Sequence, residues 1–189
     1  LSIRQGDWAW PAANDCVFRS AKIESDFIGI IVQEYRKNQG ETQIICPTRK
    51  LTRIVNERVS AENTGRQLFA YRTFVERLVA TEFKSGDKVL CTANLYSEGL
   101  VNGSMGVITC CFNRPSLVEV NGGYGKILWD DGVERVINDA VLDALELGYS
   151  ITIHKAQGSQ FERVVVAIPP TKNLDRAMLY TAITRAKAE

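Results

Sequence analysis

Between Thr152 and Gln160 the chain places Thr152, His154, Lys155, Gln157, Ser159 and Gln160 around one glycine, Gly158. Hydroxyl, imidazole, ammonium and carboxamide groups at this density can hold an anion or the polar edge of a nucleotide. Apolar residues stand on both sides, in a run that starts at Leu145 and breaks at Gly148 and in another from Val164 to Ile168. A plain core element does not carry so many polar side chains. A helix beginning near Thr152 would aim unpaired amides and partial positive charge at a phosphate, with the Thr152 hydroxyl as a further donor. His154 and Lys155 could reach a phosphate or stack on a base. Gly158 would let the backbone approach a ligand closely. The residue types alone favour a plainer reading: a helix cap, a surface histidine and a glycine that ends the helix.

A second group lies near the end, in Leu179 to Lys187. Leu179, Ile183 and Ala186 fall on one helical face, and Arg185 is carried with them. A guanidinium aimed at a transferring phosphoryl group can stabilise transition-state charge bidentately. A solvated arginine at a helix end is the plainer reading. The third group is Thr48, Arg49 and Lys50, with Arg53 behind them. An apolar strand ending at Pro47 would deliver them to the carboxyl edge of a parallel sheet, where ligands bind in open α/β folds.

The elements that must position these residues follow from the pattern of apolar side chains. Residues 1–15 are polar, with Trp8, Trp10 and Pro11, and read as an incoming connection. Cys16 to Ala21 reads as a strand, Ser25 to Asn38 as a helix ended at Gly40, Gln43 to Cys46 as a buried strand and Lys50 to Val59 as a helix. That alternation predicts a parallel α/β sheet. Glu62 to Glu82 fits either a helix or a strand followed by a helix. From Gly86 the texture changes to short apolar runs separated by Gly, Asn and Asp, with a hairpin turn at Asp130-Asp131-Gly132. These predict a small antiparallel barrel inserted roughly between Lys84 and Asn138. A strand near Leu145, a helix from Thr152, a strand over 163–168 and a last helix over 174–187 then complete the α/β domain.

Composition narrows the function classes. The chain has 189 residues, 45% hydrophobic and 24% charged, and a formal net charge of +1. These are globular values, and any nucleic-acid site must be a local arrangement of charge. Five cysteines without CxxC spacing and a single histidine argue against a zinc centre and for reduced thiols in a cytoplasmic protein. No membrane span or signal peptide is legible. The chain starts at Leu1 and stops just after the last group, so both ends are expected to be cut from something larger. Two look-alikes are set aside. Gly122 to Ile127 lacks the GxxxxGK[ST] spacing of a P-loop, and Ile127 to Asp131 imitates an apolar-then-acidic Walker B strand but runs into a turn at Gly132.

The order of residues in TIHKAQGSQ and LYTAITRAK resembles the fifth and sixth motifs of superfamily 1 helicases of the RecD-like family, the alpha subunit of exodeoxyribonuclease V and its relatives. QIICPTRKLTRIVN is similar to their fourth motif, and GDKVLCTANLYSEGLVNGSMGVI to their SH3-like insertion. The resemblance runs from Ile3 to Lys187 and is most specific over the last 45 or so residues. It implies a RecA-like second motor domain (1–83 and 141–189) with an SH3-like barrel inserted at 84–140. It implies Arg185 as an arginine finger, Arg49, Gln157, Gly158 and Gln160 near ATP, and Thr152, His154, Lys155 and Asn94 near single-stranded DNA. One departure is visible: the family usually has Glu where this chain has Gln160, which can hydrogen-bond a ribose but supplies no charge.

The resemblance further implies that ATP and Mg²⁺ are gripped by a first motor domain carrying the Walker residues, with no metal ligand in this chain. It also implies an isolated chain that neither hydrolyses ATP nor unwinds DNA, movement 5′ to 3′, and RecB- or RecC-like subunits as candidate partners. Two alternatives stay open: a binding module without motor activity, and the helicase half of a conjugative relaxase.

Overall fold

The computed structural model describes residues 24–72, 75–112, 123–169 and 176–187. The strand expected over Cys16 to Ala21, the run at Leu117 to Val120 and the start of the last expected helix at Leu174 lie outside the described residues. The chain divides into two compact units, one formed by residues 1–55 and 150–189 and the other by residues 56–149.

In the first unit, α1 (Glu24–Arg36) leads into β1 (Thr42–Cys46), and Pro47-Thr48 turns the chain into α2 (Arg49–Ser60). Helix α1 buries Ile31, Val32 and Tyr35, which share one face at helical spacing. Every residue of β1 is buried, as expected of a strand covered on both faces. Strand β1 is the middle of a three-stranded parallel sheet of order β10-β1-β9, formed with β9 (Ser150–Thr152) and β10 (Arg163–Val166). Arg163 ties this sheet to α1: its Nη1 donates to the Glu34 carbonyl at 2.6 Å and to Thr42 Oγ1 at 3.0 Å. The unit ends in α4 (Arg176–Ile183).

The second unit is mostly antiparallel. Strands β2 (Gln67–Arg72) and β3 (Arg77–Lys84) form a hairpin. Strands β4 (Lys88–Cys91), β5 (Met105–Cys111), β6 (Gly125–Trp129), β7 (Glu134–Val136) and β8 (Leu145–Leu147) form a five-stranded sheet of order β7-β6-β5-β4-β8. A short helix, α3 (Asp139–Asp143), precedes β8 and is capped by Asn138, whose Oδ1 accepts from the Val141 amide at 2.9 Å. The β6–β7 turn passes through Asp130-Asp131-Gly132, so the acidic pair closes a hairpin and does not end a Walker-type strand. Among the described residues β7 and β8 are the two edges of this sheet and do not pair with each other.

Glu62 to Glu82, where the pattern fits either a helix or a strand followed by a helix, contains the hairpin and, among its described residues, no helix. Gln67 explains part of this. Its Nε2 donates to the carbonyls of Thr81 and Phe83 at 2.7 and 2.8 Å, filling the ladder where β2 and β3 fall out of register. Such side-chain bonding at a bulge leaves no trace in the alternation of apolar residues.

The apolar run from Leu145 also proves to be two strands in two sheets. Strand β8 pairs antiparallel with β4, and after Gly148 and Tyr149 strand β9 pairs parallel with β1. Gly148 is required by close approach: a Cβ there would lie 2.8 Å from the Val89 carbonyl carbon and 2.9 Å from its oxygen. Because those atoms are backbone held in the β4–β8 ladder, they cannot move aside cheaply. Gly148→Ala is expected to cost about 1–3 kcal/mol, read as a lower midpoint of denaturant unfolding. An unchanged midpoint would show that the ladder yields.

Candidate ATP and DNA site

Strands β1 and β9 end side by side, with Cys46 opposite Thr152. The connections that follow them therefore leave from one edge of the parallel sheet. After β1, Thr48 caps α2: its Oγ1 accepts from the Leu51 amide at 3.2 Å and its carbonyl accepts from the Thr52 amide at 3.0 Å. Arg49 and Lys50 then occupy the first helical turn, both exposed, with no acidic residue in that turn. Two cations at the positive end of a helix dipole are held against local repulsion, and an anion there would relieve it. Behind them the edge is polar and closed, with Ser150 Oγ donating to the Thr52 carbonyl at 3.0 Å. Cys46 is fully buried beside them, and burial pushes its thiol up to about 12.

After β9 the expected helix from Thr152 does not form. The Ile153 amide donates to the Cys46 carbonyl at 3.1 Å, the Lys155 amide to Thr152 Oγ1 at 3.3 Å, and the Ala156 amide to the Thr152 carbonyl at 3.0 Å. A run of turns follows, and Gly158 stands at φ +86°. Buried Ile153 and Ala156 anchor a single turn, and the left-handed glycine stops it from propagating. The Ile153 and Lys155 amides, which the sequence pattern would leave free for a phosphate, are thus already engaged. The side chains expected to meet a ligand remain outward. His154, Gln157 and Gln160 are exposed, Thr152 and Lys155 are half-buried, and the space around Gly158 is open where a Cβ would stand.

Arg185 sits two residues beyond the end of α4, where the expected helix would have continued to Lys187. The chain turns there because Phe161 takes over the backbone. The Phe161 amide donates to the Arg185 carbonyl at 2.8 Å, and the Lys187 amide donates to the Phe161 carbonyl at 2.9 Å, making a parallel bridge between Phe161 and Ala186. Lys187 and Glu162 add an ion pair across the same bridge. The half-buried guanidinium is pinned on three sides: Nε donates to the Thr181 carbonyl at 3.0 Å, Nη2 to Thr184 Oγ1 at 3.3 Å, and Nη1 to the Ser159 carbonyl at 3.4 Å.

Two groups emerge. Arg49 lies just past one strand end, and Thr152 and His154 lie at the other. Arg185 is fastened to Ser159, between Gly158 and Gln160. No hydrogen bond among the described residues joins Arg49 to the second group. Asn94 belongs to the second unit, where its Oδ1 accepts from the Asn102 amide at 2.9 Å and pins the loop between β4 and β5. Phe161 and the backbone carbonyl of Ser159 are the positioning groups that the sequence does not reveal. Both act through backbone atoms, which no side-chain pattern reveals. Among the described residues no cluster of three His, Cys, Asp or Glu could hold a metal ion.

The profile of the UvrD-like helicase C-terminal domain matches residues 147–189, the segment that contains both turns. The RecD subunit of the RecBCD enzyme of Mycolicibacterium smegmatis is 36% identical over 110 residues, covering 54% of this chain and 17% of that protein. The ATP-dependent RecD2 DNA helicase of Deinococcus radiodurans is 31% identical over 113 residues, covering 59% of this chain and 14% of that protein. Over somewhat more than half of its length the chain is similar to RecD and RecD2 helicases. It spans less than a fifth of the length of these two curated relatives. A crystal structure of Pif1 helicase from Bacteroides in complex with ADP-AlF3 and single-stranded DNA superposes with a TM-score of 0.58, at 17% identity, covering 88% of this chain and 44% of that one. That likeness shows the fold, a RecA-like helicase domain in which α/β and antiparallel sheets are combined. The turn that carries Arg185 and the turn after β9 both lie within the segment that matches the UvrD-like helicase C-terminal domain. Among the described residues no helix is long and apolar enough to cross a membrane.

Proposed function

We propose that this chain is the second motor domain of an ATP-dependent helicase that moves 5′ to 3′ on single-stranded DNA. The observation that carries the reading is the fastening of Arg185 to Ser159 and Phe161, which holds a forked cation beside the open turn at Gly158. A first motor domain with Walker residues would grip the phosphates of ATP and its Mg²⁺. Arg185 would act across the cleft on the γ-phosphate as an arginine finger, and Arg49 would approach the phosphates from the start of α2. Gln157, Gly158 and Gln160 would line the nucleotide, with Gln160 offering a neutral hydrogen bond to the ribose. Thr152, His154 and Lys155 would bear on the DNA backbone and bases, and Asn94 would present the β4–β5 loop of an SH3-like barrel to the same strand. Closing on ATP and opening after hydrolysis would step the DNA contacts of Thr152 and His154 with each turnover. RecB- and RecC-like subunits are the proposed protein partners.

The test is ATP hydrolysis by this chain joined to its P-loop motor domain, with and without single-stranded DNA. Turnover that rises strongly with DNA supports the motor. Absent turnover, or turnover indifferent to DNA, would favour a binding module with no motor.

A further inference from the structure

Where α4 ends, its hydrogen-bond ladder breaks in favour of one side chain. In an unbroken helix the Arg185 amide would donate to the Thr181 carbonyl, four residues back. Here it donates to the Ala182 carbonyl at 3.3 Å instead. The Thr181 carbonyl is taken by Nε of the same arginine at 3.0 Å. The break thus hands a backbone acceptor to the guanidinium. Thr184 supplies a second acceptor. It is half-buried, and its Oγ1 lies 2.9 Å from the Tyr180 carbonyl and 3.1 Å from the Thr181 carbonyl. A hydroxyl has one proton and two lone pairs. Both carbonyls can only accept, so the proton is committed to one of them. A lone pair is left for Arg185 Nη2, which donates to it at 3.3 Å. The neighbours therefore fix the polarity of the hydroxyl, and it faces the cation as an acceptor. The Tyr180 carbonyl already accepts from the Thr184 amide at 3.0 Å, so the helix end does not need this hydroxyl.

A guanidinium has five N–H donors, one on Nε and two on each terminal nitrogen. Among the described residues each nitrogen of Arg185 engages one: Nε to Thr181, Nη1 to Ser159 and Nη2 to Thr184. One N–H on each terminal nitrogen is left over, a pair that can grip an oxyanion bidentately. The Ser159 bond is the longest of the three, at 3.4 Å. Without the Thr184 acceptor, the plane of the guanidinium would rest on Nε and that long bond. The free pair could then swing away from a transferring phosphoryl group, and small errors of aim are costly in such a step.

We infer that Thr184 is a positioning residue for phosphoryl transfer, its hydroxyl setting the plane of the Arg185 guanidinium. The inference rests on the reading of Arg185 as an arginine finger. The test is a double-mutant cycle on DNA-stimulated ATP turnover, in the chain joined to its P-loop domain. Thr184→Val keeps the shape and loses the acceptor. It is expected to lower kcat about tenfold, with KM for ATP little changed. Thr184→Ser keeps the hydroxyl and should recover most of the turnover. In the Arg185→Ala background, Thr184→Val should cost nothing further, because the group it acts through is gone. If the valine variant folds poorly, that background still decides: a folding defect carries through it, whereas a positioning defect vanishes. Wild-type turnover in Thr184→Val alongside collapse in Arg185→Ala would overturn the role of Thr184 and leave the finger standing. The same loss in both backgrounds, or a serine variant as slow as the valine one, would also overturn it. Turnover indifferent to Arg185→Ala would remove the finger reading, and the role of Thr184 with it.

Discussion

Replacing Arg185 with alanine is expected to lower DNA-stimulated ATP turnover about a thousandfold in the chain joined to its P-loop domain, with little change in affinity for single-stranded DNA. The expectation follows from how the side chain is held. Three hydrogen bonds, to Thr181, Thr184 and Ser159, fix the plane of the guanidinium before any nucleotide arrives. Charge placed in advance costs no reorganisation in the transition state. Arg185→Lys should recover little, because an ammonium on a flexible stem cannot present two parallel donors. Steady-state kinetics would show the loss in kcat with KM for ATP changed far less. Turnover unaffected by either substitution would reduce Arg185 to a structural clamp between the two turns.

The second large effect falls on stability. Asp87 is fully buried in the second unit and gathers donors from several parts of it. Its Oδ1 accepts from Tyr149 Oη and Asn63 Nδ2, both at 2.6 Å, and its Oδ2 from the Lys84 amide at 2.7 Å. Asn63 in turn donates to the Ser85 carbonyl, and Lys84 Nζ caps the Ser60 and Asn63 carbonyls at 3.2 and 2.9 Å. Asp87→Ala strands these donors away from water, a cost of about 3 kcal/mol or more. Thermal unfolding is expected to fall by roughly 6–12 °C. Asp87→Asn keeps the shape and one acceptor and should fall between wild type and alanine. A shift under about 2 °C for the alanine variant would mean that water replaces the carboxylate and that the network contributes little.

Much of this was legible in the sequence, for reasons that differ by residue. Strand β1 and helices α1 and α2 announce themselves because burial imposes a continuous apolar run on one and a helical period on the others. Asp130-Asp131-Gly132 was readable as a turn because acidic residues followed by glycine are the chemistry a hairpin needs. The hairpin of residues 67–84 was not, since its register is set by the Gln67 side chain filling gaps in the ladder. The division of 145–152 into two sheets was equally hidden. Gly148 reads as a break, but only the Val89 backbone pressed against it shows that the chain changes partners there. At the site, the residue types point to Thr152, His154 and Arg185, while the apolar pattern predicts helix where the structure has turns. Backbone atoms decided the difference: the Cys46 carbonyl claims the Ile153 amide, and Phe161 claims the end of α4.

The central claim is that Arg185 serves the transition state of ATP hydrolysis. The most direct measurement compares the affinities for ADP and for ADP with aluminium fluoride, in wild type and Arg185→Ala, using the chain joined to its P-loop domain on single-stranded DNA. The account predicts that the substitution leaves ADP affinity nearly unchanged and weakens the fluoride complex by a factor that tracks the loss in kcat. Equal affinities for the fluoride complex in both proteins would contradict it.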